Sequence, residues 1–308
     1  YHPIAELLIQ YRQIGKLKST YTDGLTEKIA EDGRIHTIFM QALTQTGRIS
    51  STEPNLQNIP VRTELGRQLR RAFIPENGYV LVDADYSQIE LRLLAHIADD
   101  RNMQEAFRNG DDIHTATAAQ VFNLPPEMVQ PQMRSRAKAV NFGIVYGIGD
   151  FSLAKNLHIP RKEAKQYIES YLATYIGVRD YMQRTIQEGK KHGYVETLFH
   201  RRRYIPELQS KNAVQRAFGE RICMNAPIQG TAADIIKLAM VKVDRRLRRE
   251  GFQARLILQI HDELIVEAPE EEAAAVSALL KEEMEQAVTL SVPLTVDLKV
   301  GKSWFDTK

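Results

Sequence analysis

Apolar positions along the chain change period several times, and the changes mark out elements. Residues 4 to 18 carry helically spaced apolar side chains, and "RIHTIFMQALTQTGRIS" (34–50) alternates β-branched and aromatic residues, with Gly33 and Gly47 as punctuation. The first predicts the end of an amphipathic helix and the second predicts strands. After the turn-rich "SSTEPNLQNIP", residues 79 to 86 read as a strand and Gln88 to about Ala98 as a helix. Helical spacing then dominates to about residue 190, through "MQEAFRNG", "DIHTATAAQVF", "PQMRSRAKAVNFGIVYG" and one long stretch from Arg161 to Lys190. "YVETLFHRRRYIPE" predicts a pair of short strands, and residues 213 to 222 and 228 to 250 two helices. "ARLILQIHDELIVEAP" predicts two strands about a tight turn, followed by a helix at 270 to 288 and a strand at 293 to 300. Strands, a helical block and strands again predict an α+β fold, with a helical subdomain inserted into a sheet domain.

One strand breaks its own pattern. In "VLVDADYSQIELRLL" (80–94), Asp83 and Asp85 interrupt an apolar run, and strand alternation points them the same way. Two unpaired carboxylates there are costly, so a cation is expected nearby. A second acidic group, His261-Asp262-Glu263, sits at the turn of the later hairpin, where turn chemistry alone would account for it. If that hairpin lies beside the first strand, Asp85 and Asp262 converge at one sheet edge. Carboxylates without cysteine partners are hard oxygen ligands suited to Mg²⁺ or Mn²⁺, and a pair of such ions serves in-line phosphoryl or nucleotidyl transfer.

Composition changes this picture little. The chain has 308 residues, 43% hydrophobic and 26% charged, with a formal net charge of +2, which is ordinary for a globular protein and too weak a bias to imply a nucleic-acid partner. No run of about 18 apolar residues appears, and the start, Tyr1-His2-Pro3-Ile4, has no initiator Met or cleavage signal, which points to a cytosolic protein and to a fragment of something longer. The single cysteine, Cys223, excludes internal disulfides and reads as a small buried hydrophobe. Basic residues cluster at 134–138, 200–203 and 245–249, where a solvated face is the plain reading.

Phosphate-binding groups would give the first cluster another meaning. Arg134, Lys138, Phe142 and Tyr146 recur every four residues and form a slowly winding stripe on a helix. The two cations could hold a triphosphate while the rings stack on a base. An amphipathic helix that buries its rings and solvates its cations would show the same spacing, and the stripe alone does not separate the two.

Together these segments carry a resemblance. "DYSQIELR" (85–92), "RSRAKAVNFGIVYG" (134–147) and "QIHDELIVE" (259–267) resemble motifs A, B and C of the family A DNA polymerases, in order, and "TGRISSTEPNLQNIP" (46–60) and "ERICMNAPIQGTAADIIK" (220–237) resemble further segments of that family. The resemblance implies a right-hand fold: the end of the thumb in 1–33, an antiparallel-sheet palm from 34–87 and 216–308, and largely helical fingers from 88–215. Most of the thumb, and any proofreading or 5′ nuclease domain, would be missing, so grip on duplex should suffer.

It also implies template-directed addition of dNTPs to a primer 3′ end, in replication and repair, by a monomer in the bacterial cytoplasm, at the nucleoid and away from membranes. Two Mg²⁺ ions, replaceable by Mn²⁺, would bind Asp85, Asp262 and the Tyr86 main-chain carbonyl, with Glu263 as an adjacent acid. Arg134, Lys138, Phe142, Tyr146, Glu90, Gln88 and His114 would meet the incoming dNTP, and Lys138 counts with Asp85, Asp262 and Glu263 as catalytic. Glu90 matches the steric gate against a ribose 2′-hydroxyl. Arg48, Asn58, Arg221, Asn225, Gln229 and His261 would contact primer-template DNA. Asp83 lies outside the motif and is expected to support it or to be partly solvated. A single-subunit RNA polymerase, a two-metal nuclease and an inactive nucleic-acid-binding module are the competing readings. Glu90, the stripe and the retained aspartates count against them in turn.

Overall fold

The computed structural model describes residues 2–61 and 63–308. In chain order the elements are α1 (Ile4–Lys16), a π-helical segment (Leu17–Asp23), α2 (Gly24–Thr26), β1 (Ile38–Met40), β2 (Ser50–Thr52), α3 (Glu64–Gln68) and β3 (Tyr79–Tyr86). Then follow α4 (Ile89–Ile97), α5 (Arg101–Arg108), α6 (Ile113–Phe122), α7 (Pro131–Val145), α8 (Asp150–Leu157), α9 (Arg161–Thr174), α10 (Ile176–His192), β4 (Tyr194–Glu196) and β5 (Arg202–Tyr204). The chain continues through α11 (Ala213–Glu250), β6 (Arg255–Ile260), β7 (Glu263–Pro269), α12 (Ala273–Glu285) and β8 (Val296–Gly301). This is the mixed helix and antiparallel-sheet architecture expected. No described helix is long and apolar enough to cross a membrane.

The residues divide into two compact units. The first comprises residues 1–85, 237–284 and 296–308. Its centre is a four-stranded sheet in the order β6-β7-β3-β8, with β3 antiparallel to β7 and β7 antiparallel to β6. Every residue of β7 is buried, and Val82 and Ala84 of β3 are fully buried, which is why these strands read as near-continuous apolar runs. Leu81, Leu258, Ile260, Ile265 and Trp304 form the core with Leu56 and Ile59. Gln57 ties the 46–60 segment to the sheet by donating from Nε2 to the main-chain oxygen of the buried Gln259 at 3.1 Å. Between residues 34 and 50 the described strands are β1 and the first residue of β2, with an isolated bridge from Ile35 to Ile29; the alternation there is too loose to sustain longer strands.

The second unit comprises residues 86–236 and 285–295 and is mostly helical. Two expectations fail in it. The long helix at 161–190 is divided at Tyr175, whose φ of −103° and ψ of 74° leave the helical region. Here the chain passes close to another segment: a Cβ at Gly177 would lie 2.8 Å from the Ala98 oxygen and from the Asp100 Cα. Conversely, Pro227 does not divide 213–250 into two helices, for it lies inside α11. A mid-helix proline costs about 3 kcal/mol through its missing donor and ring clash. Burial of Cys223, Ala226, Ile228, Ala232, Ala233, Ile235 and Ile236 around it offsets that cost. Cys223 is fully buried and unpaired, as the plain reading held.

Candidate nucleotide and metal site

β3 and β7 bring the two acidic motifs together. Their register pairs Asp85 with Glu263, so Asp262, in the turn joining β6 to β7, lies one residue beyond the partner of Asp85. The convergence expected from the sequence is therefore a consequence of strand register. Asp85 is half-buried, and its carboxylate makes no hydrogen bond or ion pair among the described residues. Burial pushes its carboxyl above the usual carboxylate range; Asp83 and Asp297 push the same way, and Lys308 opposes them.

An oxygen-ligated divalent cation fits this carboxylate. Such an ion would supply the opposite charge that burial and the neighbouring acids leave wanting. Among the described residues no group of three or more His, Cys, Asp or Glu forms a closed metal cage. Two carboxylates at a strand end suit Mg²⁺, which keeps several waters or substrate oxygens rather than an all-protein shell. Tyr86 follows Asp85 as the last residue of β3.

Asp83 is not solvated at all. It is 2% exposed, and its Oδ2 accepts from Thr307 Oγ1 at 2.8 Å and pairs with Lys308 Nζ at 3.1 Å. Glu263 is also buried: Oε1 accepts from Trp304 Nε1 at 3.2 Å, and Oε2 pairs with Lys308 Nζ at 2.7 Å. Arg70, 5% exposed and stacked 3.9 Å over the Trp304 ring, adds a second positive charge. The cation that Asp83 required is thus Lys308, not a metal. Sequence reading missed Lys308 because it lies 225 positions from Asp83 in an unremarkable "WFDTK" segment. Both oxygens of Glu263 are occupied by Trp304 and Lys308.

The second unit carries the stripe. In α7 the residues Ala137, Val140, Asn141, Ile144 and Val145 are buried, while Arg134 and Lys138 are exposed, Phe142 is half-buried and Tyr146 is 46% exposed. The rings are not the buried face of an amphipathic helix. Arg134 forms a two-point ion pair with Asp112, the N-cap of α6, with Nη2 to Oδ2 at 2.7 Å and Nε to Oδ1 at 3.1 Å. Lys138 makes no hydrogen bond or ion pair among the described residues. Tyr146 donates its hydroxyl to Glu90 Oε2 at 3.0 Å, and Glu90 is 6% exposed in the first turn of α4. Gln88, half-buried, starts that helix from a left-handed conformation with φ of 57°. His114 is 2% exposed, with its ring 5.6 Å from that of Phe142.

The expected DNA-contacting residues divide between the units. In the first unit Arg48 is half-buried, Asn58 is exposed with its main-chain oxygen accepting from Tyr21 at 2.6 Å, and His261 is exposed in the β6–β7 turn with φ of 53°. In the second, Asn225 donates from Nδ2 to the Val145 oxygen at 3.3 Å, beside the end of the stripe. Gln229 is half-buried on the same helix, and Arg221 is exposed with its guanidinium 5.6 Å from the Phe218 ring. The other basic clusters prove to be largely committed to internal pairs. Arg201 holds the buried Asp234, with Nε to Oδ1 at 2.9 Å, and Arg246 bridges Glu250, Glu282 and Glu283.

The model of DNA polymerase family A matches residues 1–306. The chain belongs to DNA polymerase family A. As a family A chain it is 58% identical to DNA polymerase I of Bacillus caldotenax over 100% of its own length and 36% of that protein's. It is 56% identical to DNA polymerase I of Bacillus subtilis strain 168, covering 35% of it, and 52% identical to the thermostable DNA polymerase I of Thermus filiformis, covering 37%. The chain thus spans about a third of the length of these relatives. Its fold matches the POL domain of Pol1 from M. smegmatis, solved in complex with DNA primer-template and dNTP, with a TM-score of 0.95 and 46% identity, over 99% of this chain and 54% of that one. Family A DNA polymerases in general depend on divalent metal ions.

Proposed function

We propose that this family A chain is the polymerase portion of a DNA-directed DNA polymerase, which extends a primer on a DNA template in replication and repair. The observation that carries this reading is the β3–β7 register, which puts Asp85 and Asp262 at one strand end while Lys308 neutralises their neighbours. The M. smegmatis POL domain, bound to primer-template and dNTP, lends support.

In the reaction the primer 3′ oxygen bonds to the α-phosphorus of a dNTP, the bond from that phosphorus to the bridging oxygen breaks, and pyrophosphate leaves. Asp85, Asp262 and the Tyr86 carbonyl would hold two Mg²⁺ ions, which would supply positive charge for the attacking and leaving oxygens. Asp85 carries the negative charge that the site needs once a cation is present, and Glu263 supports the edge from its pairs with Trp304 and Lys308. Lys138, without an internal partner, and Arg134, after exchanging Asp112 for phosphate, take the triphosphate, with the Lys138 ammonium at the departing pyrophosphate. Phe142, Gln88 and His114 line the nucleotide's place, and the Tyr146 ring stands in for a template base until the fingers close. Buried Glu90 excludes a 2′-hydroxyl by bulk and so selects dNTPs over rNTPs. Arg48, Asn58, Arg221, Asn225, Gln229 and His261 hold the primer-template. The fingers are residues 88–215 and the palm 34–87 with 216–308; the protein acts as a monomer in the bacterial cytoplasm.

Primer extension with Mg²⁺ and dNTPs tests this, run beside Asp85→Ala and Asp262→Ala. Extension by the parent and none by either variant is expected; variants that extend as well as the parent overturn the metal assignment. Replacing dNTPs by rNTPs should abolish extension, and Glu90→Ala should partly restore it.

A further inference from the structure

His114 lies at the end of a chain of four buried polar side chains, all within the second unit. Tyr175, Thr117, Asn141 and His114 are 0%, 0%, 0% and 2% exposed. Tyr175 Oη is 2.9 Å from Thr117 Oγ1, Thr117 Oγ1 is 3.2 Å from Asn141 Oδ1 and 3.1 Å from Asn141 Nδ2, and Asn141 Nδ2 is 3.0 Å from His114 Nδ1.

The direction of this chain is set at its two ends, by the Tyr175 hydroxyl and by the Asn141 amide nitrogen that faces the ring. Thr117 is the only side-chain partner of the Tyr175 hydroxyl among the described residues. A fully buried hydroxyl that does not donate carries a desolvation penalty, so Tyr175 donates to Thr117. Thr117 then faces both ends of the Asn141 amide, and the amide nitrogen, with two hydrogens to give, faces both Thr117 Oγ1 and the imidazole Nδ1. An amide N–H can face Nδ1 only if Nδ1 is an acceptor, and in a neutral ring the proton is then on Nε2. The reverse order would leave the Tyr175 hydrogen buried without an acceptor.

We propose that Asn141, backed by Thr117 and Tyr175, is a positioning residue that fixes His114 as the neutral Nε2–H tautomer, so that the incoming nucleotide's phosphate meets a fixed N–H donor. The proposal rests on the nucleotide-binding reading of His114. Nε2 makes no hydrogen bond with the described residues, yet it is not among the polar atoms sealed from solvent. The charged groups facing the ring are Asp112, just before α6, and Arg134 and Lys138 on α7. Burial first, and then the two cations against the opposing pull of Asp112, lower the imidazole pKa to about 4, so the ring stays neutral at pH 7. Burial raises the Tyr175 hydroxyl to about 12, which keeps the donor at the far end protonated. Asn141 acts here as second partners do for metal-bound histidines, by occupying one ring nitrogen so that the other is defined.

The first test needs no catalysis. In the ¹⁵N-histidine-labelled chain at pH 7 without nucleotide, the His114 signal, assigned by its loss in His114→Gln, should show an unprotonated Nδ1 and a protonated Nε2. A proton on Nδ1, or on both nitrogens, overturns the proposal even if the chain extends primers. The second test is the dNTP dependence of primer extension. Asn141→Leu should raise the dNTP KM by about tenfold, the order of one hydrogen bond to a charged group, with kcat changed less. Thr117→Val and Tyr175→Phe, which keep shape, should raise it less and in that order, and they decide the matter if Asn141→Leu fails to fold. In a His114→Ala background none of the three should raise KM further; an equal rise there means that Asn141 acts by packing alone and overturns the proposal. If the parent does not extend primers, the polymerase reading fails while the NMR result still decides the tautomer.

Discussion

In the first unit Asp83 and Glu263 are buried beside Lys308 and Arg70, whereas in the second unit His114, Thr117, Asn141 and Tyr175 are buried as neutral groups joined head to tail. Both arrangements remove polar atoms from water, and each cancels its own demand differently. The charged cluster balances the two carboxylates Asp83 and Glu263 with the two cations Lys308 and Arg70. The neutral chain carries no net charge, and instead joins a hydroxyl to a ring nitrogen through hydrogen bonds among four residues. Charge balance permits a metal site beside it; directional hydrogen bonding defines a donor.

The largest expected effect breaks the first arrangement at its working end. Asp85→Asn should reduce primer extension by more than about a thousandfold, the scale of removing a group that stabilises the transition state alone, with little loss of stability because Asp85 has no hydrogen bond to forfeit. Asp83→Asn, two residues away, should lower the rate far less. Equal losses in single-turnover extension would mean that the two carboxylates share the metals.

Next in size is Lys308→Met. It leaves Asp83 and Glu263 buried without their shared cation, and breaking a buried pair from one side costs about 3–5 kcal/mol. Lys308 retains 29% of its side-chain exposure, so the lower part of that range is expected in denaturant unfolding. Burial works against the ammonium, but Glu263 and Asp83 more than offset it and hold its pKa above the ordinary value. A loss under about 1 kcal/mol would show that the cluster is hydrated and the comparison wrong.

The two arrangements also oppose one another in pH. Burial, aided by Glu263, raises Asp83 from 3.8 to about 6, so between those values the folded chain binds the extra proton and stability falls as pH rises. Burial lowers His114 from 6.5 to about 4, so there the unfolded chain binds the extra proton and stability is lost as pH falls. Over the shared window the slopes cancel in the parent. Asp83→Asn should leave stability rising more steeply from pH 4 to 6, and His114→Gln should leave it falling, as read from urea midpoints. Unchanged slopes in both would remove the basis for calling one group charged and the other neutral.

What could be read from sequence differs between the two units for a physical reason. Motif spacing located Asp85, Asp262 and the α7 stripe because strand and helix periods are local. The sheet order brought the motifs together where the apolar runs required it. Lys308 was not legible: its partners lie 45 and 225 positions away, and nothing local distinguishes a lysine that is paired with a buried acid. Nor was the Asn141 chain, since Thr117, Asn141 and Tyr175 come from α6, α7 and the junction of α9 and α10. The two helices expected at 213–222 and 228–250 form one, α11, because the burial that holds the chain helical through Pro227 is not local. Arg134 looked free and is held by Asp112; a side chain's present partner is likewise set by the fold.

The smallest prediction is a control on the word "buried". Arg248 pairs with Asp244 one turn away on α11 through Nε at 3.1 Å, with 80% and 45% of their side chains exposed. Arg248→Ala should cost no more than about 0.5 kcal/mol, because solvent screens such a pair and holding two long side chains costs entropy. About 1 M salt should erase even that, since the screening length then shrinks to about 3 Å. The penalty of Lys308→Met should survive the same salt, because mobile ions cannot enter between Asp83 and Glu263. If both losses fade together, the distinction between the charged cluster and an ordinary surface pair disappears.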